Sequence, residues 1–407
     1  MQVPDGWKES QLGKVITHTK GYAFSSSDYS DAGIRIIRIT DTTEFGIKNE
    51  NSVFLPKEKL IGLEKYILKS NDIIINTVGS RPHLRSSMVG KVIRIRMQNS
   101  GSLLNQNMVK VTANEYIKSN FLYLSISNDV FLDFITSIVR GNANQVSITL
   151  SDLFKFPILL PPLPEQQKIA EILSTWDGAI TATQALIDTA RLQKKALMQQ
   201  LLTGKKRLKG FDGEWRNVAL YKIADVIMGS SPKSEAYNDA KEGLPLLQGN
   251  ADIKNRLSMP RIYTSQITKE CIVDDVLLSV RAPVGEISRS IHHACIGRGI
   301  AAVRSKKSTS QNYIYQWLLY FEPKWIRLSQ GSTFESVNSN DIKSLYIHIP
   351  PYLPEQIAIA AILSDADREI ELLTQKLTHL KTEKSALMQQ LLTGKRRVKI
   401  INKEIAV

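Results

Sequence analysis

The side chains that could do chemistry in this 407-residue chain gather in short polar loops, and their types favour recognition over catalysis. In the first half the loops are 25–30, 79–87 and 140–145, carrying Arg81, His83, Arg85, Arg140, Asn142, Asn144 and Gln145. In the second half they are 230–238, 248–255, 281–289, 297–298 and 330–333, carrying Gln248, Asn250, Arg281, Arg289, Arg298, Gln330 and Thr333. A guanidinium pairs with guanine, and a carboxamide with adenine, through two hydrogen bonds in the major groove. Hydroxyls and backbone amides meet phosphate instead. A net charge of +14, from 53 basic and 39 acidic residues, suits a polyanion, most simply double-stranded DNA. Loops are also polar simply because they are wet; the concentration of Arg, Asn and Gln within each loop is what points to contact.

No catalytic constellation accompanies these loops. Ile349-Pro350-Pro351-Tyr352 is similar to the Asx-Pro-Pro-Tyr motif of amino methyltransferases, but isoleucine cannot hold a target amino group. Gly204-Lys205-Lys206 and Gly394-Lys395-Arg396 lack the earlier glycine and the following Ser or Thr of a phosphate-binding loop. Cys271 and Cys295, the only cysteines, are too few for a tetrahedral zinc site and read as buried thiols. The six histidines have no ligand spacing with acids, so no metal is expected. No apolar run approaches 20 residues and Met1–Lys8 lacks an apolar core, so a cytoplasmic protein is expected.

The elements that must position the loops include one that occurs twice. Leu-Pro-Glu-Gln stands at 163–166 and again at 353–356; Ala-Leu-Met-Gln-Gln-Leu-Leu-Thr-Gly-Lys stands at 196–205 and again at 386–395. Pro164 and Pro354 are 190 positions apart, as are Ala196 and Ala386, so length is kept while the middles diverge. Steps of four and three pick out Ile169, Leu173, Trp176, Ile180, Leu197 and Leu201 in the first copy. In the second they pick out Ile359, Leu363, Ile370, Leu373, Leu377, Leu387 and Leu391. A mean step of 3.5 is the period of a left-handed coiled coil. A proline in the first turn, a glutamate after it and a terminal glycine mark each copy as one long helix. Matched length and seam predict that the two helices pair antiparallel. Lys194 and Lys384 fall on the seam and are expected to snorkel past its edge, though a polar seam residue can also fix register.

The duplication extends to the domains. Asp5-Gly6-Trp7 is answered by Asp212-Gly213-Glu214-Trp215, Ile34–Ile39 by Leu244–Leu247, and Asn120-Phe121-Leu122 by Asn312-Tyr313-Ile314. Short β-branched runs at 34–40, 72–78, 108–112 and 155–160 read as strands, and 120–139 as an amphipathic helix. The fold expected is α+β. Two globular domains, each a bent, mainly antiparallel sheet with helices, are separated by the two long helices. The segments are 1–157, 158–208, 209–347 and 348–407.

These features together resemble the specificity subunit of type I restriction-modification systems. Pro161–Gln166, Pro350–Gln356 and the two identical helix endings carry the match, with Tyr352 an insertion in the second copy. The resemblance covers the whole chain. It implies that each domain is a target-recognition domain reading one part of a split, asymmetric DNA sequence, and that the helices are spacers. It implies docking of two modification (methyltransferase) subunits and of restriction/translocase subunits. S-adenosylmethionine, ATP and Mg are then expected on those partners and no cofactor on this chain. Competing readings are a standalone adenine methyltransferase or nuclease with an unrecognised site, and a coiled-coil scaffold that does not bind DNA.

Overall fold

The computed structural model describes residues 3–43, 46–81, 88–141, 145–330 and 336–400, the side chains of 326–330 excepted. The chain packs as two compact units, Met1–Ala182 with Leu377–Val407, and Thr183–Lys376. Each unit joins one globular domain to part of both long helices. Five helices matter below: α1 (Ser119–Ile126), α2 (Asp129–Ile138), α3 (Leu163–Leu201), α4 (Gln311–Gln330) and α5 (Leu353–Leu392).

Seven strands frame the first unit: β1 (Ile16–Lys20), β2 (Ile34–Ile37), β3 (Val53–Leu55), β4 (Ile73–Asn76), β5 (Val92–Arg94), β6 (Leu103–Leu104) and β7 (Met108–Ala113). One sheet has the order β1-β7-β4-β5 and is antiparallel throughout. The other has the order β6-β2-β3, with β6 and β2 parallel. Ile73, Ile75, Val109 and Val111 pack against the helices, while Ile74, Ile93 and Met108 meet Ile37 and Leu104 of the second sheet. Successive strand residues point to opposite faces, so an unbroken run such as Ile73–Ile75 belongs between two layers.

The second unit repeats this frame with β8 (Ala224–Met228), β9 (Leu244–Leu247), β10 (Ile262–Thr264), β11 (Val276–Ser279), β12 (Ile287–Arg289), β13 (Ala294–Ile296) and β14 (Ile300–Ser305). Its sheets contain β8-β14-β11-β12 and β10-β9-β13, and β9 and β13 are again parallel. Val276 and Leu278 face the helices and Leu277 the other sheet. One element differs. The helix expected over 120–139 is broken into α1 and α2, because Asn128 leaves the helix and caps the next one. Its Oδ1 accepts from Phe131 N (3.0 Å) and its Nδ2 donates to the carbonyls of Leu124 and Ser125. The second unit keeps a continuous α4.

The long helices follow the predicted seam. Every residue of it, from Ile169 to Leu201 and from Ile359 to Leu391, is buried or half-buried. In the first unit Ile169 and Leu173 share a core with Met388 and Leu391; in the second Ile359 and Leu363 share one with Met198 and Leu201. The start of one helix thus meets the end of the other, as an antiparallel pair requires. Each buried leucine stabilises by roughly 1.5–3 kcal/mol. Gly204 and Gly394, at φ +72° and +68°, follow the helix ends as the sequence predicts.

The seam lysines do not snorkel to solvent. Lys194 pairs with Asp367 and Lys384 with Asp177 (2.6 Å), leaving the lysine side chains only 12% and 17% exposed. Asp367 is the repeat counterpart of Asp177, so one ion pair occurs once in each unit. Its attraction outweighs the gain from hydrating the ammonium group.

A second repeated contact explains the Leu-Pro-Glu-Gln motif. Trp7 Nε1 donates to Glu165 (3.1 Å), which also accepts two hydrogen bonds from Arg397 (2.8 and 2.9 Å). Trp215 Nε1 donates to Glu355 (3.3 Å), which accepts two from Arg207 (both 2.9 Å). Each carboxylate, almost wholly buried, is compensated by a guanidinium whose own pKa it raises. The adjacent Gln166 and Gln356 accept from the backbone N–H of Lys118 (2.8 Å) and Ser310 (2.9 Å), fixing the approach to α1 and α4.

Candidate nucleic-acid interface

In the second unit four connections converge at one end of the strands. Gly229 and Ser230, after β8, donate backbone hydrogen bonds to Ile300 and Ile296; Gly297 donates to Leu247 and Val280 to Gly299, all at 2.8–3.0 Å. Gly229 is required by the close approach, since a Cβ there would lie 2.2 Å from the Gly297 carbonyl oxygen. The loops enclose an open cleft of about 750 Å³, lined among others by Ser230, Ser231, Tyr237, Gln248, Asn250, Arg281 and Arg298. Gln248, Asn250, Arg281 and Arg298, singled out from sequence, are therefore brought together.

The cleft suits base edges and phosphates. Among the described residues its lining has two guanidinium groups and no carboxylate. Arg298 is steadied by Ser231, whose Oγ accepts from its backbone N–H (3.2 Å) and its Nε (3.3 Å), and its two Nη groups have no partner among the described residues. Asp252 anchors the Gln248 loop from below. It accepts from Gln248 N (2.7 Å) and Arg261 Nε (2.8 Å), and the Gln248 side chain remains half-exposed. Such preorganised donors can read a guanine or grip a phosphate.

The first unit converges in the same way. Gly21 and Tyr22 donate to Met108 and Leu104, Asn105 to Ile37, and Thr77 to Asn107, all at 2.9–3.2 Å. Arg81 is exposed and donates to the Gly141 carbonyl (3.4 Å), and Val146 pairs with Gly79, so these described residues lie side by side. Arg140 is engaged with Asp152, which Thr149 and Lys155 also hold; hydrogen bonds from those two neighbours are the main cause of its lowered pKa. Gln145 is exposed. His83, Arg85, Asn142, Asn144 and Thr333 lie outside the described residues; Gln330 ends α4, its side chain also outside them.

Arg289 does not join the cleft. Its guanidinium lies over the Tyr315 ring of α4 (4.5 Å to the centroid) and 3.7 Å from Asp274. Arg94, at the same place in β5, lies over Tyr123 of α1 (4.2 Å). An arginine used alike in both units belongs to the frame. Sequence reasoning missed Gln106, exposed at the centre of the β6–β7 connection, where Arg298 stands between β13 and β14. It also missed Arg38, which follows β2 as Gln248 follows β9 and is held by Asp41 (3.1 Å). Carrying the landmark correspondence one or two residues beyond each strand would have found both.

No single described helix is long and apolar enough to cross a membrane, and no described cluster of His, Cys, Asp or Glu could hold a metal ion. Cys271 and Cys295 are free buried thiols, and burial raises the pKa of Cys271.

A folded frame that occurs twice, each copy carrying its own polar loop cluster, is what a family of DNA-specificity proteins also shows. A profile of the type I restriction modification DNA specificity domain matches residues 4–190 and again 212–382. The chain belongs to that family, the non-catalytic specificity subunits of type I restriction-modification complexes. It is 30% identical over 411 residues to the provisionally assigned type I restriction enzyme MjaX specificity subunit of Methanocaldococcus jannaschii, covering 98% of this chain and 95% of that protein. A chain from a solved type I R-M system, studied for complex assembly and conformational transition, is 26% identical with a TM-score of 0.61, covering 97% and 100% of the two chains. The type I S subunit of M. genitalium shares the fold, with a TM-score of 0.64 at 15% identity, covering 98% and 99%.

Proposed function

We propose that this subunit reads a split, asymmetric DNA target, the loop cluster of each unit contacting one part. The observation that carries this is the repeated frame with unlike loops: Arg298, Gln248 and Ser230 in one unit stand where Gln106, Arg38 and Tyr22 stand in the other. Two unlike readers imply two unlike half-sites. The long helices, α3 with 39 residues among them, act as spacers between the two half-sites. On B-DNA, sites one turn apart are separated by about 34 Å, or roughly 10 base pairs.

The subunit docks two modification subunits, which bring S-adenosylmethionine and methylate adenine, and restriction/translocase subunits, which bring ATP and Mg. Exposed apolar residues on the long helices, among them Leu186, Leu192, Ile357 and Leu372, offer surface for such docking. Co-expression with the modification partner, followed by genome-wide mapping of methylated adenine, tests the reading. A two-part asymmetric motif with a fixed gap is expected. Methylation by the purified chain alone would favour a standalone enzyme. A complex that forms but shows no sequence-selective DNA binding would favour a scaffold.

A further inference from the structure

One side chain in the second cleft is already held one way round by a neighbour. Asn250 lines the cleft at the start of the turn Asn250–Asp252. Its Nδ2 donates to Oε2 of Glu286, a half-buried residue just before β12 that does not itself line the cleft. The carbonyl of Glu286 accepts from Ser279 N (3.0 Å), which fixes its place beside the cleft wall. An ionised carboxylate can only accept, so the NH₂ of Asn250 must face it. The Asn250 Oδ1 has no partner among the described residues. A free carboxamide can turn either end toward a base; Glu286 holds that of Asn250 one way round, its NH₂ toward the carboxylate and its carbonyl left to accept.

We propose that Glu286 is a positioning residue that turns the Asn250 carbonyl into the cleft, so that the second unit selects a base with an exocyclic amino group in the major groove. This rests on the reading of the clefts given above. Adenine N6 and cytosine N4 donate there, whereas guanine O6 and thymine O4, at the same places, accept. Rejection therefore falls on the transition partner, guanine for adenine or thymine for cytosine, which matches the preferred base in shape and reverses its polarity.

The test uses the complex of the full chain with its modification partner. Binding is selected from a duplex library with the second half-site randomised. Glu286→Ala frees the amide to turn over. At one position, adenine should relax to adenine or guanine, or cytosine to cytosine or thymine, with discrimination falling about tenfold. Asn250→Asp with Glu286→Gln restores an acceptor facing the base and a donor behind it, and should recover the original preference. Both variants are checked for an unchanged melting temperature, and the isosteric double variant carries the test if Glu286→Ala unfolds. A preference unchanged in Glu286→Ala, weakened equally at all positions, or relaxed to a transversion overturns the proposal. Absence of a second half-site for the unaltered complex overturns the two-cleft reading instead.

Discussion

Between the last two strands of each unit's frame lies a three-residue connection, Asn105-Gln106-Asn107 in one and Gly297-Arg298-Gly299 in the other. The backbone hydrogen bonds around the two connections correspond one for one: Asn105 to Ile37 and Thr77 to Asn107, against Gly297 to Leu247 and Val280 to Gly299. The side chains at the tips do not correspond at all. After the first strand the contrast recurs. Tyr22 packs its ring against Phe24 and Tyr66 at centroid distances of 5.0 and 5.2 Å, while the second unit has two serines and a proline there. The frame is settled by apolar burial and backbone pairing, which ignore what a loop tip carries. Tip residues are therefore free to vary without cost to the fold, and this is the freedom a reader of varied sequences needs.

The comparison can be broken in three ways. The largest effect is expected from exchanging residues 1–155 for the matching part of another family member. One half of the methylation motif should be replaced whole and the other kept, and a change in both halves would end the independence of the units. Next come matched core truncations. Leu173→Ala and Leu363→Ala each remove a fully buried seam leucine, and each should cost about 2–5 kcal/mol in denaturant titration. A loss of about 2–5 kcal/mol at one site and none at the other would show that the repeated frame is not energetically equivalent. The smallest effect is expected at the clasps. Glu165→Gln and Glu355→Gln weaken charge-assisted bonds to Arg397 and Arg207, and should cost roughly 1–3 kcal/mol each. Equal losses sharpen the equivalence, and a loss in one unit alone limits it.

Much of this was legible in the sequence. The duplicated helix ends and their spacing announced two helices, and the 3.5-residue period announced their pairing. Strand runs such as Ile73–Ile75 and Val276–Leu278 were visible because burial on both faces leaves no polar residue between. The partner of a seam lysine was not legible. Nothing local says that Lys194 will meet Asp367, 173 positions away. The break at Asn128 was hidden because the apolar period continues across it, while the capping carboxamide acts through geometry. For the interface, residue type found four cleft residues in the second unit but also chose Arg289. A guanidinium on a tyrosine ring and one on a loop tip look alike until the strand beneath them is placed.

The clasps give the chain a property of a different kind. Glu165 with Trp7 and Arg397, and Glu355 with Trp215 and Arg207, are the same joint built twice, and each stands beside a copy of the identical segment 196–205 or 386–395. Parts joined this way are interchangeable. An exchange falling within the shared segment would leave that segment unchanged, and each clasp would meet the same residue types on either side of it. New pairings of loop clusters can then arise in a single event, with no compensating change in either core.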